Sequence, residues 1–248
     1  MNTKNIIIIF FVLFTNACSH NQAETQQANI YEVFKLQQPM QIDASWDKPQ
    51  WQNTEALDII NYTGKIPEFS PSVKAKMRYD SENLYLIFQV KDRYVHCITN
   101  EINGPVWEDS CVEFFFSPDT SLPQQYFNLE INCGGTPLMH YNIIPRKETK
   151  TLEVKDIEKI EIAHSLPSIV NPELTENVTW IIEYRIPVEI LRKYSNVTFP
   201  KHGVIWRANF YKIADGGSNP HYITWSVVKN VAEPDFHLPR YFGQIVFQ

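Results

Sequence analysis

Between Gly104-Pro105 and Pro118 the chain reads Val106-Trp107-Glu108-Asp109-Ser110-Cys111-Val112-Glu113-Phe114-Phe115-Phe116-Ser117, and few folds accept such a stretch. A turn-forming pair, an aromatic and two acids lead into a run of β-branched and aromatic side chains that a second proline closes: a loop feeding a central strand. Side chains alternate across a strand, so Cys111, Glu113 and Phe115 take one face and Val112, Phe114 and Phe116 the other. One carboxylate therefore sits among apolar neighbours and needs a partner, from the protein itself or from outside it. Trp107, just ahead, either caps a core or faces that partner.

The same period of two recurs along the chain. Val73, Ala75, Met77 and Tyr79 alternate with Lys74, Lys76 and Arg78, and after a turn at Asp80 to Asn83 the set Leu84, Leu86, Phe88 and Val90 returns on one face. Phe127, Leu129 and Ile131 alternate with Asn128, Glu130 and Asn132, a stripe of hydrogen-bonding side chains that ends at Gly134-Gly135. Further strands are predicted over 157–163, 179–186, 204–213, 222–228 and 244–247, with turn residues such as Asn171-Pro172 between them. Only Val188 to Tyr194, entered through Pro187, reads as helical, and Pro49 rules out a long helix beside Trp46 and Trp51. The expectation is an all-β fold, an antiparallel β-sandwich of jelly-roll or immunoglobulin-like kind with one short helix, as a single domain over 31–248.

The start of the chain suggests a compartment. Lys4 precedes an apolar run over 6–14, too short for the roughly 20 residues of a membrane span but suited to a signal peptide over 1–17. Leu13-Phe14-Thr15-Asn16-Ala17-Cys18 resembles a bacterial lipobox, so cleavage before Cys18 would leave that residue to carry lipid. The expected location is the cell envelope, anchored to the outer membrane on its periplasmic or its outer side, with Gln/Asn/Ala-rich residues 18–30 as a tether. Loss of the signal leaves 21 basic against 28 acidic side chains, a balance of −7 that disfavours nucleic acid and anionic lipid headgroups. Cys97, Cys111 and Cys133 remain, an odd number without C-x-x-C spacing, and are expected as buried thiols rather than a zinc site or disulfide framework.

Four stretches together resemble family 9 carbohydrate-binding modules: Ile42-Asp43-Ala44 with Asp47 and Trp51, Leu84-Tyr85-Leu86 running to Val90-Lys91-Asp92, Trp107 to Phe115, and Phe236-His237-Leu238-Pro239-Arg240-Tyr241-Phe242-Gly243. The likeness runs from about Gln41 to the C-terminus. It implies a non-catalytic β-sandwich that holds an oligo- or polysaccharide between two aromatic side chains, which fall on Trp107 and Phe236. The family has tryptophan at the second place, so phenylalanine offers a smaller flat face. The strand carboxylate and polar neighbours grip hydroxyls in the family, which gives Glu113 and Asn128 that role, while the family's arginine has no match at Asn128. The resemblance also allows structural calcium, for which the turn around Asp43 and Asp47 is the place, although two acids fall short of the six to eight oxygens calcium takes.

The residue chemistry agrees in kind. A pyranose has an apolar face and a rim of hydroxyls, suited to an aromatic platform beside planar polar groups. Trp107 with Glu113, Asn128 and Glu130 offers that set, and Arg207 and Tyr211, sharing a face with Asn209, are candidates to complete it. Arg207 has an alternative, an ion pair with Glu113 or Glu130. His221 and His237 are candidate donors to hydroxyls or plain structural hydrogen bonders, and their spacing marks no transition-metal site. Core packing is expected for Trp46, Trp51, Trp180, Trp206 and Trp225. Glycan-degrading or import proteins are the expected neighbours of such a lipoprotein. Two other readings compete: a glycoside-active enzyme using Glu113 with Glu108 or Asp109, and a haem-binding electron-transfer sandwich using Met77 or Met139 with His140. The adjacency of Met139 and His140 argues against the second, since neighbours on a strand point to opposite faces.

Overall fold

The computed structural model describes residues 29–248. The stretch expected as a signal peptide, Cys18 and the expected tether up to residue 28 lie outside the described residues. In chain order the strands are β1 (Ile30–Lys35), β2 (Leu57–Ile59), β3 (Asn61–Tyr62), β4 (Ser72–Tyr79), β5 (Asn83–Asp92), β6 (Val95–Cys97), β7 (Cys111–Ser117), β8 (Tyr126–Asn132), β9 (Pro137–Ile144), β10 (Glu148–Thr151), β11 (Glu161–His164), β12 (Val170–Leu174), β13 (Val178–Pro187), β14 (Ile205–Ala214), β15 (His221–Thr224) and β16 (Gly243–Phe247).

They form two layers. The front layer runs β10-β9-β8-β7-β14-β16-β1 and the back layer β1-β4-β5-β13-β11, so β1 belongs to both. Its first part, Ile30 to Val33, pairs with β16 and its last, Phe34 and Lys35, with β4. Both pairings are parallel, which departs from a wholly antiparallel sandwich. Parallel neighbours require long connections, and β1 meets that condition: the stretch from Lys35 to Ser72 separates it from β4, and most of the chain separates it from β16.

Between the layers lies the main core, where Val112, Phe114, Phe116, Phe127, Leu129 and Ile131 of the front meet Met77, Leu86, Phe88, Ile182 and Tyr184 of the back. Phe210 sits 4.9 Å from Phe114 and 6.2 Å from Phe88, and Phe116 stacks on Trp206 at 5.8 Å. The period-two faces assigned to β7 and β8 are those observed. Trp51, Trp180, Trp206 and Trp225 are buried, whereas Trp46 is half-buried with the Lys76 ammonium 4.3 Å from its ring. Cys97, Cys111 and Cys133 are buried free thiols. Met77 and Met139 are both sealed in the main core, so neither presents sulfur to the face where His140 stands, and an axial haem pair has no place there.

Several sequence expectations change. The expected helical piece is present as Val188–Lys193, and four further short helical turns join it among the described residues, including Pro49–Gln52, Val106–Glu108 and Val154–Ile157. That last turn occupies the start of what reads as a strand over 157–163, and only Glu161–His164 is extended. Asn171-Pro172 lies within β12, a strand paired only with β6, where a proline's missing donor is tolerated, rather than in a turn. Strands β9 and β10 were not anticipated. Among the described residues no helix is long and apolar enough to cross a membrane.

Each layer also has an outer face with its own cover. On the back, the segment after β1 crosses Tyr85 and Ile87 with Met40, Ile42 and Trp51. Buried Glu183 of β13 fastens it: one oxygen accepts from Asp43 N–H (2.9 Å), Ala44 N–H (2.8 Å) and Lys48 Nζ (2.8 Å), the other from Trp51 Nε1 (2.7 Å). Lys48 also bonds Asp43 Oδ1 at 2.8 Å and the Gln41 carbonyl. An ammonium thus stands where calcium at the Asp43 turn would have to sit, so these residues do not fit that ion. Among the described residues no group of three or more His, Cys, Asp or Glu side chains is arranged to hold a metal.

Candidate functional site

The front outer face carries a cavity of about 810 Å³, within the range of ligand pockets. Its floor is built by three neighbouring strands whose outward side chains are polar: Glu113 on β7, Glu130 on β8, and His140 and Asn142 on β9. Register places Glu113 directly across from Glu130, two carboxyls on adjacent strands. Behind Glu130 runs a chain of donors: Thr149 Oγ1 donates to Asn142 Oδ1 (3.1 Å), Asn142 Nδ2 to Asn128 Oδ1 (2.6 Å), and Asn128 Nδ2 to Glu130 Oε1 (2.8 Å). Asn128 is fully buried and is not part of the lining, so it orients Glu130 from beside it on the same face of β8.

Glu113 has no such help. It is 2% exposed, and its Oε2 has no hydrogen-bond partner in the protein. Burial pushes its carboxyl well above the usual range and Glu130 across the strand pushes it further, against a weaker pull from Arg146 and Lys212. Burial also raises Glu130, to about 7, opposed by the Asn128 hydrogen bond and by Arg146. Burial lowers His140, and burial with Arg146 lowers His237 to about 4, which leaves both imidazoles neutral at pH 7.

One wall is Trp107, 37% exposed, on the turn Val106–Glu108. That turn is pinned from several sides. Asp109 is fully buried and accepts from Ile98 N–H and Thr99 N–H, both 3.0 Å, and from Asn132 Nδ2 at 2.8 Å. Asp215 N–H donates to the Trp107 carbonyl (3.2 Å) and Gly216 N–H to that of Glu108 (2.8 Å). A Cβ at Gly216 would come within 2.9 Å of the latter, so only glycine allows the approach. Asp109 is thus structural, and exposed Glu108 does not line the cavity, so neither pairs with Glu113 as an enzyme would need.

The other wall is the loop after β15. Phe236 is 5% exposed and stacks on Tyr211 with centroids 4.2 Å apart, 17° between planes, while Tyr211 Oη donates to the Phe236 carbonyl (3.2 Å). The next residue, His237, is held by Tyr126 Oη at its Nδ1 (2.7 Å). Arg146, in the turn after β9 at φ +62°, reaches across to Asp235 Oδ1 with contacts of 2.6 and 3.2 Å.

Four predicted residues therefore meet around one space: Trp107, Phe236, Glu113 and Glu130. Four others do not line it. Asn128 and Tyr211 share the outer face but are covered, Tyr211 by Phe236. Arg207 lies opposite Ser117, four residues along from the Tyr211–Glu113 pair, about 13 Å at the rise of a strand. Its Nη2 donates to the carbonyls of Arg240 (3.3 Å) and Phe242 (3.1 Å), and it pairs with neither glutamate. His221 is buried, bonded to Asn219 O (2.7 Å) and to Lys212 Nζ (2.8 Å), whose ammonium is 3.4 Å from Asp92. Sequence reasoning missed Asn142 and Arg146. The alternation of Leu138, His140 and Asn142 with Met139, Tyr141 and Ile143, closed by Pro145-Arg146, is the signal that marks them.

Comparison with known proteins adds to this geometry. The family model described as carbohydrate-binding family 9 matches residues 41–247. No match is found among curated proteins. Among solved structures, a Bacteroides uniformis ATCC 8492 protein provisionally described as carbohydrate-binding is 25% identical, with a TM-score of 0.79 over 90% of this chain and 100% of that one. A family 9 carbohydrate-binding module from Caldicellulosiruptor kristjanssonii in complex with cellotriose is 16% identical, TM-score 0.57, over 89% and 94% of the two chains. The same organism's module in complex with glucose is 16% identical, TM-score 0.56, over 88% and 95%.

Proposed function

The chain belongs to carbohydrate-binding family 9, and from that premise we propose a non-catalytic glycan-binding protein that holds a sugar between Trp107 and Phe236. The observation that carries this reading is one cavity lined by both aromatics together with the polar side chains of Glu113, Glu130 and Asn142. A pyranose ring would lie against the indole with its hydroxyls toward the floor, and Arg146 supplies at the rim the guanidinium that Asn128 and Arg207 do not. Rigid backing favours binding: Tyr211 fixes Phe236, and Asp109 fixes the turn that carries Trp107. The neighbours with cellotriose and glucose make β-linked glucans the first ligands to try.

Hydrolysis is the reading that the Glu113–Glu130 pair raises. Both carboxyls rise from adjacent strands of one floor, whereas cleavage needs carboxylates flanking the scissile bond. They suit gripping a sugar better than cutting one.

The proposal extends to location. The lipobox-like 13–18 segment supports a lipid on Cys18 that anchors the domain to the outer membrane through a polar tether, close to glycan-degrading or import proteins. Loss of lipid labelling in Cys18→Ala checks this part independently.

The direct test is calorimetry of the purified chain against a glycan panel. Binding to at least one member, lost in a Trp107→Ala, Phe236→Ala double variant that still folds, is the expected result. Undiminished binding by that variant would overturn the site, and failure across an extensive panel would overturn the function.

A further inference from the structure

The floor of the cavity holds a charge arrangement that a neutral sugar leaves unresolved. Glu113 and Glu130 face each other across adjacent strands, nearly inaccessible to water, and the second oxygen of Glu113 finds no donor in the protein. The guanidinium that reaches this region, Arg146, is committed to Asp235. The lining as a whole carries four acids, with Asp215 and Glu233 added to this pair, against Arg146 and Lys147. Two other buried carboxyls do have a cation beside them: Glu183 has Lys48, and Asp92 has Lys212 at 3.4 Å. A metal ion is not the missing cation, since two carboxylates with no further ligand grouped beside them make too small a donor set.

We propose that the site prefers glycans carrying a free, protonated amine on the ring, hexosamine units, whose ammonium sits between Glu113 and Glu130. This deepens the carbohydrate-binding reading above and rests on it. An ammonium brings three N–H donors and a positive charge. One donor meets the Glu113 carboxyl where it lines the cavity, another reaches the Glu130 oxygen that Asn128 does not hold, and the charge relieves the repulsion between the two carboxylates. A hydroxyl at the same place brings one donor and no charge, so the pair must stay partly protonated. An acetamido group brings one N–H, no charge and added bulk. Burial raises the affinity of both carboxyls for protons, and at Glu113 the charge of Glu130 adds to it.

The test is a matched set of β-1,4-linked trimers, of glucosamine, of glucose (cellotriose) and of N-acetylglucosamine, titrated into the purified full chain at about pH 6.5, where the amine is charged. The glucosamine trimer is expected to bind at least about tenfold more tightly than cellotriose and more tightly than the acetylated trimer, with the preference shrinking as salt is added. Glu113→Gln, and separately Glu130→Gln, should bring the ratio of the two affinities toward one, with thermal unfolding confirming that each variant folds. Equal or tighter binding of cellotriose by the wild type overturns the amine preference and leaves carbohydrate binding standing. Preference that survives in both variants overturns the placement of the ammonium. Silence of all three trimers overturns the inference, and only failure of the wider panel as well reaches the underlying function.

Discussion

The two outer faces of the sandwich each bury a glutamate beneath a covering segment, and the two are treated in opposite ways. Glu183 on the back has four donors at 2.7 to 2.9 Å, two backbone N–H groups, an ammonium and an indole, and the segment 41–53 is closed over it. Glu113 on the front has no donor at its Oε2, and the loop above it stands off to leave a cavity. A satisfied buried carboxylate organises structure, whereas an unsatisfied one is a cost the fold carries unless something else comes to meet it. The two should therefore respond oppositely to neutralisation. Glu183→Ala strands Lys48 and the donors of Asp43, Ala44 and Trp51, and is expected to lower stability by about 3–5 kcal/mol, read by denaturant unfolding. A loss as small as that of a surface substitution would erase the distinction.

The front pair also sets a pH dependence, smaller than that loss. The folded state holds the Glu130 proton up to about 7 against an ordinary value of 4.5. Below 4.5 both states are protonated and the group contributes nothing. Between 4.5 and about 7 the unfolded chain has released the proton while the folded one keeps it, so stability falls as pH rises and then levels off. Thermal unfolding of the ligand-free protein should show this decline, and Glu130→Gln should flatten it and raise the midpoint at pH 7. An unchanged slope in that variant would place the proton elsewhere.

What the sequence made legible follows the same division. Alternation identifies a strand's two faces, so the apolar sides of β7 and β8, and the outward placing of Glu113 and Glu130, were readable from 111–116 and 127–131. Family resemblance placed the two aromatic walls. Position along a strand is another matter, because it depends on register and on which loop lies above. Arg207 shares a face with Tyr211 yet is four residues away from Glu113's level, and Tyr211, at the right level, is covered by Phe236. His221 turned inward to Lys212. Arg146 is the converse case, a turn residue that alternation marks only as the end of a strand and that becomes relevant when β9 and β10 bring it opposite Asp235.

The smallest expected effect on stability discriminates most clearly between the faces. Trp51 and Trp107 both lie on short helical turns next to a buried acid. Trp51 is fully buried and donates to Glu183, whereas Trp107 keeps 37% of its surface exposed and its turn is held by backbone bonds and by Asp109. Truncating Trp107 to alanine leaves those bonds in place and removes mainly half-exposed apolar area, so the expected loss is about 1 kcal/mol or less. The same truncation at Trp51 opens a cavity and takes the indole donor from Glu183, at about 3–5 kcal/mol. Glycan affinity should invert the order: Trp107→Ala loses at least about tenfold through the missing ring platform, while Trp51→Ala, wherever it remains folded, retains binding. If Trp107→Ala proved as destabilising as Trp51→Ala, the indole would be capping a core, and the front face would be only another version of the back.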